Sequence, residues 1–263
     1  MRKAILTLAM GAFILTLAAC AGSSEDELVV GLECNYAPFN WTDMEEGEDI
    51  AEAPAYCDGY DVTIAREVAD GLDRDLVIRK IDWDGLIPAL EAGTIDVIIA
   101  GMSPTPERAE TVNFTDEYYR SEQVLVVRSD SDYADATTLS DFSGARVIAQ
   151  QGTLQDDLIT QIDDVDHANP LNDYPSLVEQ VESGTSDALV AELPVATSIT
   201  GNNEALTYVT LEDGFEVAES DVTVSIATRK EETALRDEIN TILAGIDEET
   251  RQNWMEEALS RQP

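Results

Sequence analysis

Residues 101–108, Gly-Met-Ser-Pro-Thr-Pro-Glu-Arg, combine the groups that proteins use to bind an anion. They follow a buried apolar run, and Gly101 allows the backbone to approach a ligand closely. Thr105 is predicted to cap a helix with Pro106 at its first position, which directs free N–H groups and the positive end of the helix dipole towards a ligand. Arg108 lies one turn further on and carries a planar fork of donors that suits a carboxylate. The alternative is an ordinary capped helix whose arginine pairs with a surface acid.

Strands and helices alternate along the first half of the chain and would place this segment at the end of a strand. Three apolar runs are predicted as strands: 28–32, 76–78 and 95–100. Asp61 and Asp84 are candidate N-caps of the two helices between them. Residues 42–58 are acidic and show no periodicity, which predicts an exposed insertion. This alternation favours an α/β fold with a largely parallel sheet.

A second α/β set follows, beginning near residue 124. Its predicted strands are 124–127, 146–149, 188–190 and 222–227. A helix is predicted directly after Gly152 and Thr153, and two helical stretches, 235–246 and 251–259, end the chain. The sequence therefore predicts two α/β lobes, with the terminal helices returning to the first.

The chain is strongly acidic, with 54 Asp and Glu against 15 Lys and Arg and a formal charge of −39. Such a charge repels polyanions and argues against nucleic-acid binding. It indicates either a surface adapted to high salt or a field that concentrates cationic solutes, and both interpretations stay open. The single histidine, His167, lies far from the cysteines, so neither a metal site nor a cofactor is predicted.

The N-terminus has the pattern of a secretory signal peptide. Arg2 and Lys3 precede an apolar run over 4–18, which is shorter than the ~20 residues that span a bilayer. The run ends in Leu-Ala-Ala-Cys, which resembles the lipobox of bacterial lipoproteins and predicts lipidation of Cys20. A plain signal peptide that happens to contain this cysteine is the alternative. We expect residues 1–19 to be removed and 20–27 to form a lipidated tether, so that the protein is exported and anchored on the outer face of the cytoplasmic membrane, or on its periplasmic side.

Two further cysteines, Cys34 and Cys57, remain after Cys20 is assigned to lipid. In an oxidising compartment a pair of cysteines suggests a disulfide. Free buried thiols are the alternative.

Three blocks of sequence carry a family resemblance. The first joins 36–39 with 59–61, the second joins 83–90 with 101–108 and 114–115, and the third joins 151–153 with 187–192. In this order, and over nearly all of the mature chain, they resemble the family 3 solute-binding proteins of bacterial polar-amino-acid ABC transporters. The resemblance implies the type II periplasmic-binding fold, with two α/β lobes and a ligand cleft between them.

This fold divides the chain into three parts that build two lobes. Residues 28–121 and the return segment 221–263 would form the first lobe, and 122–220 the second. The hinge would consist of two chain crossings, near 121–124 and near 219–224.

The resemblance also implies roles for individual residues. Arg108 would clamp the α-carboxylate of an amino acid, and Thr153 would contact the same group while also capping its helix. Glu192 stands where the family usually has an aspartate that binds the α-ammonium, and its extra methylene puts its reach in question. Tyr36 and Trp83 would flank the ligand's side chain.

The far end of the ligand's side chain would meet Glu33. Asp61 could assist there, although helix capping explains that residue more simply. The full set of predicted ligand-binding residues is Glu33, Tyr36, Asp61, Trp83, Gly101, Met102, Ser103, Arg108, Gln151, Thr153, Leu154 and Glu192.

The predicted function is capture of a free amino acid by hinge closure, followed by delivery to ABC permease subunits and their ATPase. Rings beside a carboxylate favour arginine or lysine, with glutamine next. A monomer is expected. An enzyme similar to cyclohexadienyl dehydratases, with Glu33 or Glu192 as general acid or base, is one alternative, and a ligand-sensing receptor is another.

Overall fold

A computed structural model describes residues 26–212 and 214–262. The predicted signal peptide, Cys20 and most of the tether lie outside the described residues. Within the described part of the chain, every helix is too short or too polar to cross a membrane.

Fourteen strands and eight α-helices build the described chain. The strands are β1 (Glu27–Leu32), β2 (Asn35–Tyr36), β3 (Asn40–Asp43), β4 (Glu48–Asp49), β5 (Tyr56–Asp58), β6 (Asp75–Lys80), β7 (Val97–Ile98), β8 (Val112–Arg120), β9 (Gln123–Arg128), β10 (Arg146–Ile148), β11 (Asp166–His167), β12 (Ala188–Glu192), β13 (Leu206–Val209) and β14 (Thr223–Arg229). The helices are α1 (Tyr60–Gly71), α2 (Trp83–Glu91), α3 (Pro106–Thr111), α4 (Leu154–Leu158), α5 (Tyr174–Glu182), α6 (Leu193–Gly201), α7 (Thr233–Leu243) and α8 (Glu248–Arg261). Short 3₁₀ helices occupy Leu139–Phe142, Ile159–Gln161 and Glu219–Val222.

The first lobe is built on a five-stranded sheet with the order β6-β1-β7-β14-β8. Strand β1 runs parallel to β6 and β7, whereas β14 is antiparallel to β7 and to β8. Four of the five strands therefore run in the same direction, and the prediction of a largely parallel sheet fails only at β14, which is reversed against both of its neighbours. Helical crossovers enforce parallel pairing, but β14 enters this sheet directly from the other lobe and is free to pair in the opposite sense.

The second lobe has the same plan, with the order β11-β10-β12-β9-β13. Strands β10, β11 and β12 are parallel, and β9 is antiparallel to β12 and β13. The chain leaves the first sheet at Arg120 and joins the second at Gln123, then leaves the second at Val209 and rejoins the first at Thr223. Two α/β lobes linked by two chain crossings confirm the predicted fold class.

The segment 42–58 is exposed over much of its length, as its sequence predicts, but it also forms strands and buries two of its apolar side chains. Its strands complete a small antiparallel sheet with the order β2-β3-β5-β4, and Ile50 and Cys57 are buried. The sulfur atoms of Cys34 and Cys57 are bonded to each other, with the two Cα atoms 5.7 Å apart. Strands of two to four residues are too short to show a readable alternation, which is why the sequence shows no sign of them.

Two predicted helix caps are wrong. Helix α1 begins at Tyr60 after Gly59, whose φ of +135° and whose approach to the carbonyl of Phe39 leave no room for a side chain. The carboxyl of Asp61 instead points into the core. Helix α2 begins after Asp82, and Asp84 bonds across the cleft.

The caps predicted for the two short cleft helices are confirmed. The Thr105 hydroxyl accepts the N–H of Arg108 at the start of α3, with Pro106 as the first helical residue. The Thr153 hydroxyl accepts the N–H of Asp156 at the start of α4. Both helices therefore begin beside the space between the lobes.

Candidate functional site

A small cavity lies between the two lobes, near the carboxyl ends of β1 and β10. Its volume is about 10 Å³, and it is lined by Glu33, Tyr36, Trp83, Gly101, Ser103, Arg108, Gln150, Thr153, Leu154 and Gln155. A volume of this size holds about one water molecule, so side chains fill most of the cleft. A molecule larger than water therefore enters this cavity only when the lobes separate. Eight of the ten lining residues were predicted from the sequence.

Met102 and Gln151, also predicted, line neighbouring spaces rather than this cavity. Met102 is buried beside a wider opening of about 650 Å³, which shares Trp83, Arg108 and Thr153 with the small cavity. Gln151 lines a separate opening of about 380 Å³ that also borders Trp83. The small cavity is thus the inner end of a cleft with wider spaces around it.

Arg108 is held by carbonyl oxygens rather than by an acid. Its Nη1 donates to the carbonyl of Ser103 at 3.0 Å, and its Nη2 donates to the carbonyl of Gly152 in the other lobe at 3.3 Å. The guanidinium lies over the ring of Trp83, 4.9 Å from its centre. Within the described residues it forms no salt bridge, so the alternative of a surface ion pair is wrong. Burial lowers the pKa of Arg108, but an arginine in a protein stays charged.

Trp83 and its neighbours join the lobes at the edge of the cavity. The indole Nε1 donates to the carbonyl of Gly152 at 3.0 Å, the same oxygen that Arg108 contacts. Beside it, the Gln151 amide donates to the Asp84 carboxylate at 3.0 Å. The backbone of Gly152 has a φ of +69°, a conformation that glycine adopts readily. This loop thus presents its carbonyl to two side chains of the first lobe.

Glu33 lies directly after β1 and is 4% exposed. Its Oε1 accepts a hydrogen bond of 2.7 Å from the side-chain amide of Gln150, which belongs to the second lobe. Burial raises the pKa of Glu33 to about 7, while the Gln150 hydrogen bond opposes this and the charges of Asp82 and Asp173 reinforce it. A cationic group in the cavity would favour the ionised form of this carboxyl.

Tyr36 and Glu192 form a second contact between the lobes. The Tyr36 hydroxyl donates to Glu192 Oε2, so the longer glutamate does reach the cleft from the end of β12. The Tyr36 ring packs against Phe39 and Tyr174, with centres 5.2 and 4.7 Å away. Burial raises the pKa of Glu192 to about 7, and the Tyr36 hydroxyl and the Arg108 charge oppose the rise. Glu192 does not itself line the small cavity, but its carboxyl is bonded to a phenol and is influenced by the charge of the Arg108 guanidinium.

Asp61 does not line the cavity, which corrects its predicted role in ligand contact. Its carboxylate accepts hydrogen bonds from Tyr118 at 2.7 Å and from Asn40 at 2.8 Å, and the Tyr118 hydroxyl in turn accepts the N–H of Gly101 at 3.0 Å. Burial raises the pKa of Asp61 to about 6. The residue supports the Gly101 backbone from behind, because its position in the first turn of α1 faces the core and not the cleft.

Gln150 and Gln155 are the two lining residues that sequence reasoning missed. Gln155 is buried and donates through its amide to Gln123 at the start of β9, at 3.1 Å. Gln150 immediately precedes the block 151–153, and the alternation of side chains after a strand was the signal that could have found it. Thr153 connects to the same loop, since its hydroxyl donates to the Gln150 carbonyl at 2.7 Å.

The arrangement suits the capture of a small zwitterion. At one end lie the N-termini of two short helices and a guanidinium that has no acidic partner among the described residues. Buried carboxyls lie at two other points of the cleft. Three of the contacts connect one lobe with the other: Arg108 with Gly152, Glu33 with Gln150, and Tyr36 with Glu192. His167 contacts Asp156 at the wider opening, at 2.7 Å, and among the described residues of the cleft no serine, threonine or cysteine is hydrogen-bonded to it.

Comparisons with known proteins agree with this geometry. The arginine-binding extracellular protein ArtP of Bacillus subtilis (strain 168) is 26% identical over 259 residues, covering 94% of each chain. A probable histidine-binding protein of Campylobacter jejuni is 30% identical over 190 residues, covering 72% of this chain and 69% of that protein. A solved structure of an amino acid ABC transporter substrate-binding protein from Streptococcus pneumoniae, bound to L-arginine, superposes with a TM-score of 0.79 at 26% identity and covers 90% of this chain and 95% of the other. The model of the bacterial extracellular solute-binding proteins, family 3, matches residues 28–258, and the chain belongs to that family.

Proposed function

We propose that this protein is the extracytoplasmic binding component of an amino-acid ABC importer and that its ligand is arginine or lysine. It captures the free amino acid between its lobes and delivers it to the permease subunits, which are driven by their ATPase. The observation that carries the proposal is the guanidinium of Arg108, held by two carbonyls and without an acidic partner among the described residues, in the same cleft as Glu33 and Glu192.

The charges of the cleft decide which amino acids suit it. An ionised Glu33 and an ionised Glu192 leave the site with one excess negative charge beside Arg108. Arginine or lysine carries a net positive charge and neutralises the site, whereas glutamine leaves the excess and glutamate doubles it. Uncompensated buried charge is costly, so the cationic ligands are favoured.

Each part of the ligand has a counterpart in the cleft. The α-carboxylate faces Arg108 and the Thr153 region, the α-ammonium faces Glu192, and Tyr36 and Trp83 enclose the aliphatic stem. The cationic end reaches Glu33. The ligands of the relatives support this assignment, since ArtP is an arginine-binding protein and the structural neighbour is bound to L-arginine.

The protein acts as a carrier and not as a catalyst in this proposal. The relatives are binding proteins. An elimination reaction on the same fold would need a general acid or base placed against a reacting carbon, and Glu33 is already engaged by Gln150. We further propose that Cys20 carries lipid and tethers the exported protein to the membrane.

Calorimetric titration of ligand-stripped protein tests the proposal. Arginine, lysine, glutamine, leucine and glutamate are titrated at moderate salt and pH 7.5. The expected affinities fall in the order arginine or lysine, glutamine, leucine, glutamate. Tighter binding of glutamate or leucine than of arginine contradicts the assigned charges of the cleft.

A further inference from the structure

Two hydrogen bonds fix the orientation of the Gln150 side-chain amide, which the sequence did not predict. It is 3% exposed, and its Nε2 donates both to Glu33 Oε1 at 2.7 Å and to the backbone carbonyl of Asn172 at 2.9 Å. A backbone carbonyl only accepts hydrogen bonds, so the atom that faces Asn172 must be the amide nitrogen. The amide therefore cannot turn over, whatever the ionisation state of Glu33.

This orientation uses both N–H groups of the Gln150 amide. Its Oε1 makes no hydrogen bond to any described residue, and Gln150 is one of the residues that line the small cavity. Glu33, beside it in the cavity wall, contributes carboxylate oxygens from the opposite lobe. When Glu33 is ionised, the end of the cavity that these two side chains form offers acceptors alone.

We propose that Gln150 is a specificity-determining residue, which together with Glu33 restricts the far end of the cavity to ligand head groups that carry only hydrogen-bond donors. This inference rests on the proposed function and deepens it. A guanidinium or an ammonium has donors and no acceptor. The amide of glutamine and the urea group of citrulline each bring an oxygen that would face the oxygens of Glu33 or Gln150.

Closure of the lobes enforces the restriction. The hydrogen bond between Gln150 and Glu33 joins residues 117 positions apart, one on each lobe, so the acceptor pair exists only when the cleft is closed. A head group that carries an oxygen must leave two acceptors facing each other in a dry space, or hold the lobes apart. Buried unpaired polar groups of this kind weaken binding by about one to two orders of magnitude.

Arginine and citrulline provide a matched pair of ligands, because they differ only in the replacement of one terminal nitrogen by oxygen and in charge. Gln150→Met keeps an unbranched side chain of similar length and removes both donors and the acceptor. Gln252→Met, on the exposed face of α8, is the control substitution of the same type. Calorimetry gives the affinity of each protein for both ligands, and thermal unfolding without ligand checks the fold. Gln150→Leu replaces the methionine variant if that one unfolds.

The expected result is that the wild type and Gln252→Met prefer arginine, and that Gln150→Met binds arginine about tenfold or more weakly. The ratio of arginine to citrulline affinity should also fall by about tenfold, because citrulline no longer faces the amide oxygen. An equal loss for both ligands, or no loss for either, overturns this inference while the proposed function stands. A wild type that binds neither ligand overturns the proposed function and this inference with it.

Discussion

Replacing Glu33 with glutamine should stabilise the protein and weaken its binding of arginine at the same time. The carboxyl of Glu33 is buried, and its pKa is raised from 4.5 to about 7. Each tenfold change in proton affinity corresponds to about 1.4 kcal/mol, so the buried ionised carboxylate costs about 3 kcal/mol relative to the unfolded chain. Glutamine has nearly the same shape, and its oxygen can keep the hydrogen bond from Gln150.

The sign of the pH dependence follows from the direction of this shift. A carboxyl whose pKa is higher in the folded state than in the unfolded state favours folding fully below the unfolded value, and this contribution is lost as the pH rises to the folded value. For Glu33 the loss occurs between pH 4.5 and about 7. A glutamine at position 33 does not ionise, so Glu33→Gln does not lose this stability. Its free energy of unfolding should exceed that of the wild type by about 1 kcal/mol at pH 5 and by about 3 kcal/mol at pH 8.

Urea unfolding without ligand, followed by tryptophan fluorescence between pH 5 and 8.5, measures this difference. Glu231→Gln, at an exposed turn, is the matched control and should show no comparable trend. Calorimetry at pH 7.5 should show arginine affinity reduced at least about tenfold in Glu33→Gln, because a charged partner is lost. A stability difference that does not vary with pH would refute the reasoning that burial governs this carboxyl.

Three further predictions concern other parts of the chain. Arg108→Ala should leave the protein folded and weaken amino-acid binding by about 2 kcal/mol or more, about 30-fold, because the α-carboxylate of the bound ligand would lose its partner. Calorimetry with arginine measures this loss, and an unchanged affinity would remove Arg108 from the site. Reduction of the bond between Cys34 and Cys57 should lower the free energy of unfolding by roughly 3 kcal/mol for a loop of this length, and a midpoint in urea that does not respond to reductant would contradict this. Cys20→Ala should release the protein from membranes in soluble form, whereas mass spectrometry of the wild type should find a diacylated N-terminus that begins at Cys20.

The first lobe and the segment 101–108 were the most predictable parts of the structure. Buried strands such as β1 and the cap of α3 by Thr105 rest on local rules, since apolar runs and Ser/Thr–Pro starts act within a few residues. The caps assigned to Asp61 and Asp84 failed because each acid found a partner far away in the chain, Tyr118 in one case and Gln151 in the other. The local sequence shows which hydrogen bonds a side chain could form, but long-range contacts in the folded protein determine which of them it does form.

The cleft gives a clearer example of a contact that local sequence patterns cannot predict. Gln150 and Gln151 are identical in type and adjacent, yet the first is buried against Glu33 and the second is exposed against Asp84. Successive side chains of an extended segment point to opposite sides, so one of the two must face the cavity. Which one does so depends on the register of the second lobe against the first, and that register is absent from any local pattern.

Buried charge and surface charge have different consequences in this protein. Most of its 54 acidic residues are screened by salt over about 8 Å at physiological ionic strength, so they act mainly on the approach of a cation. Glu33 and Glu192 are 4% and 2% exposed, and salt screens them far less. Under the proposed function, selectivity at equilibrium depends on these two carboxyls and Arg108. The same burial that makes Glu33 costly to ionise without a partner would make a cationic ligand the favoured way to keep it ionised. The destabilising effect of this carboxyl and the proposed preference for a cation therefore have one physical cause.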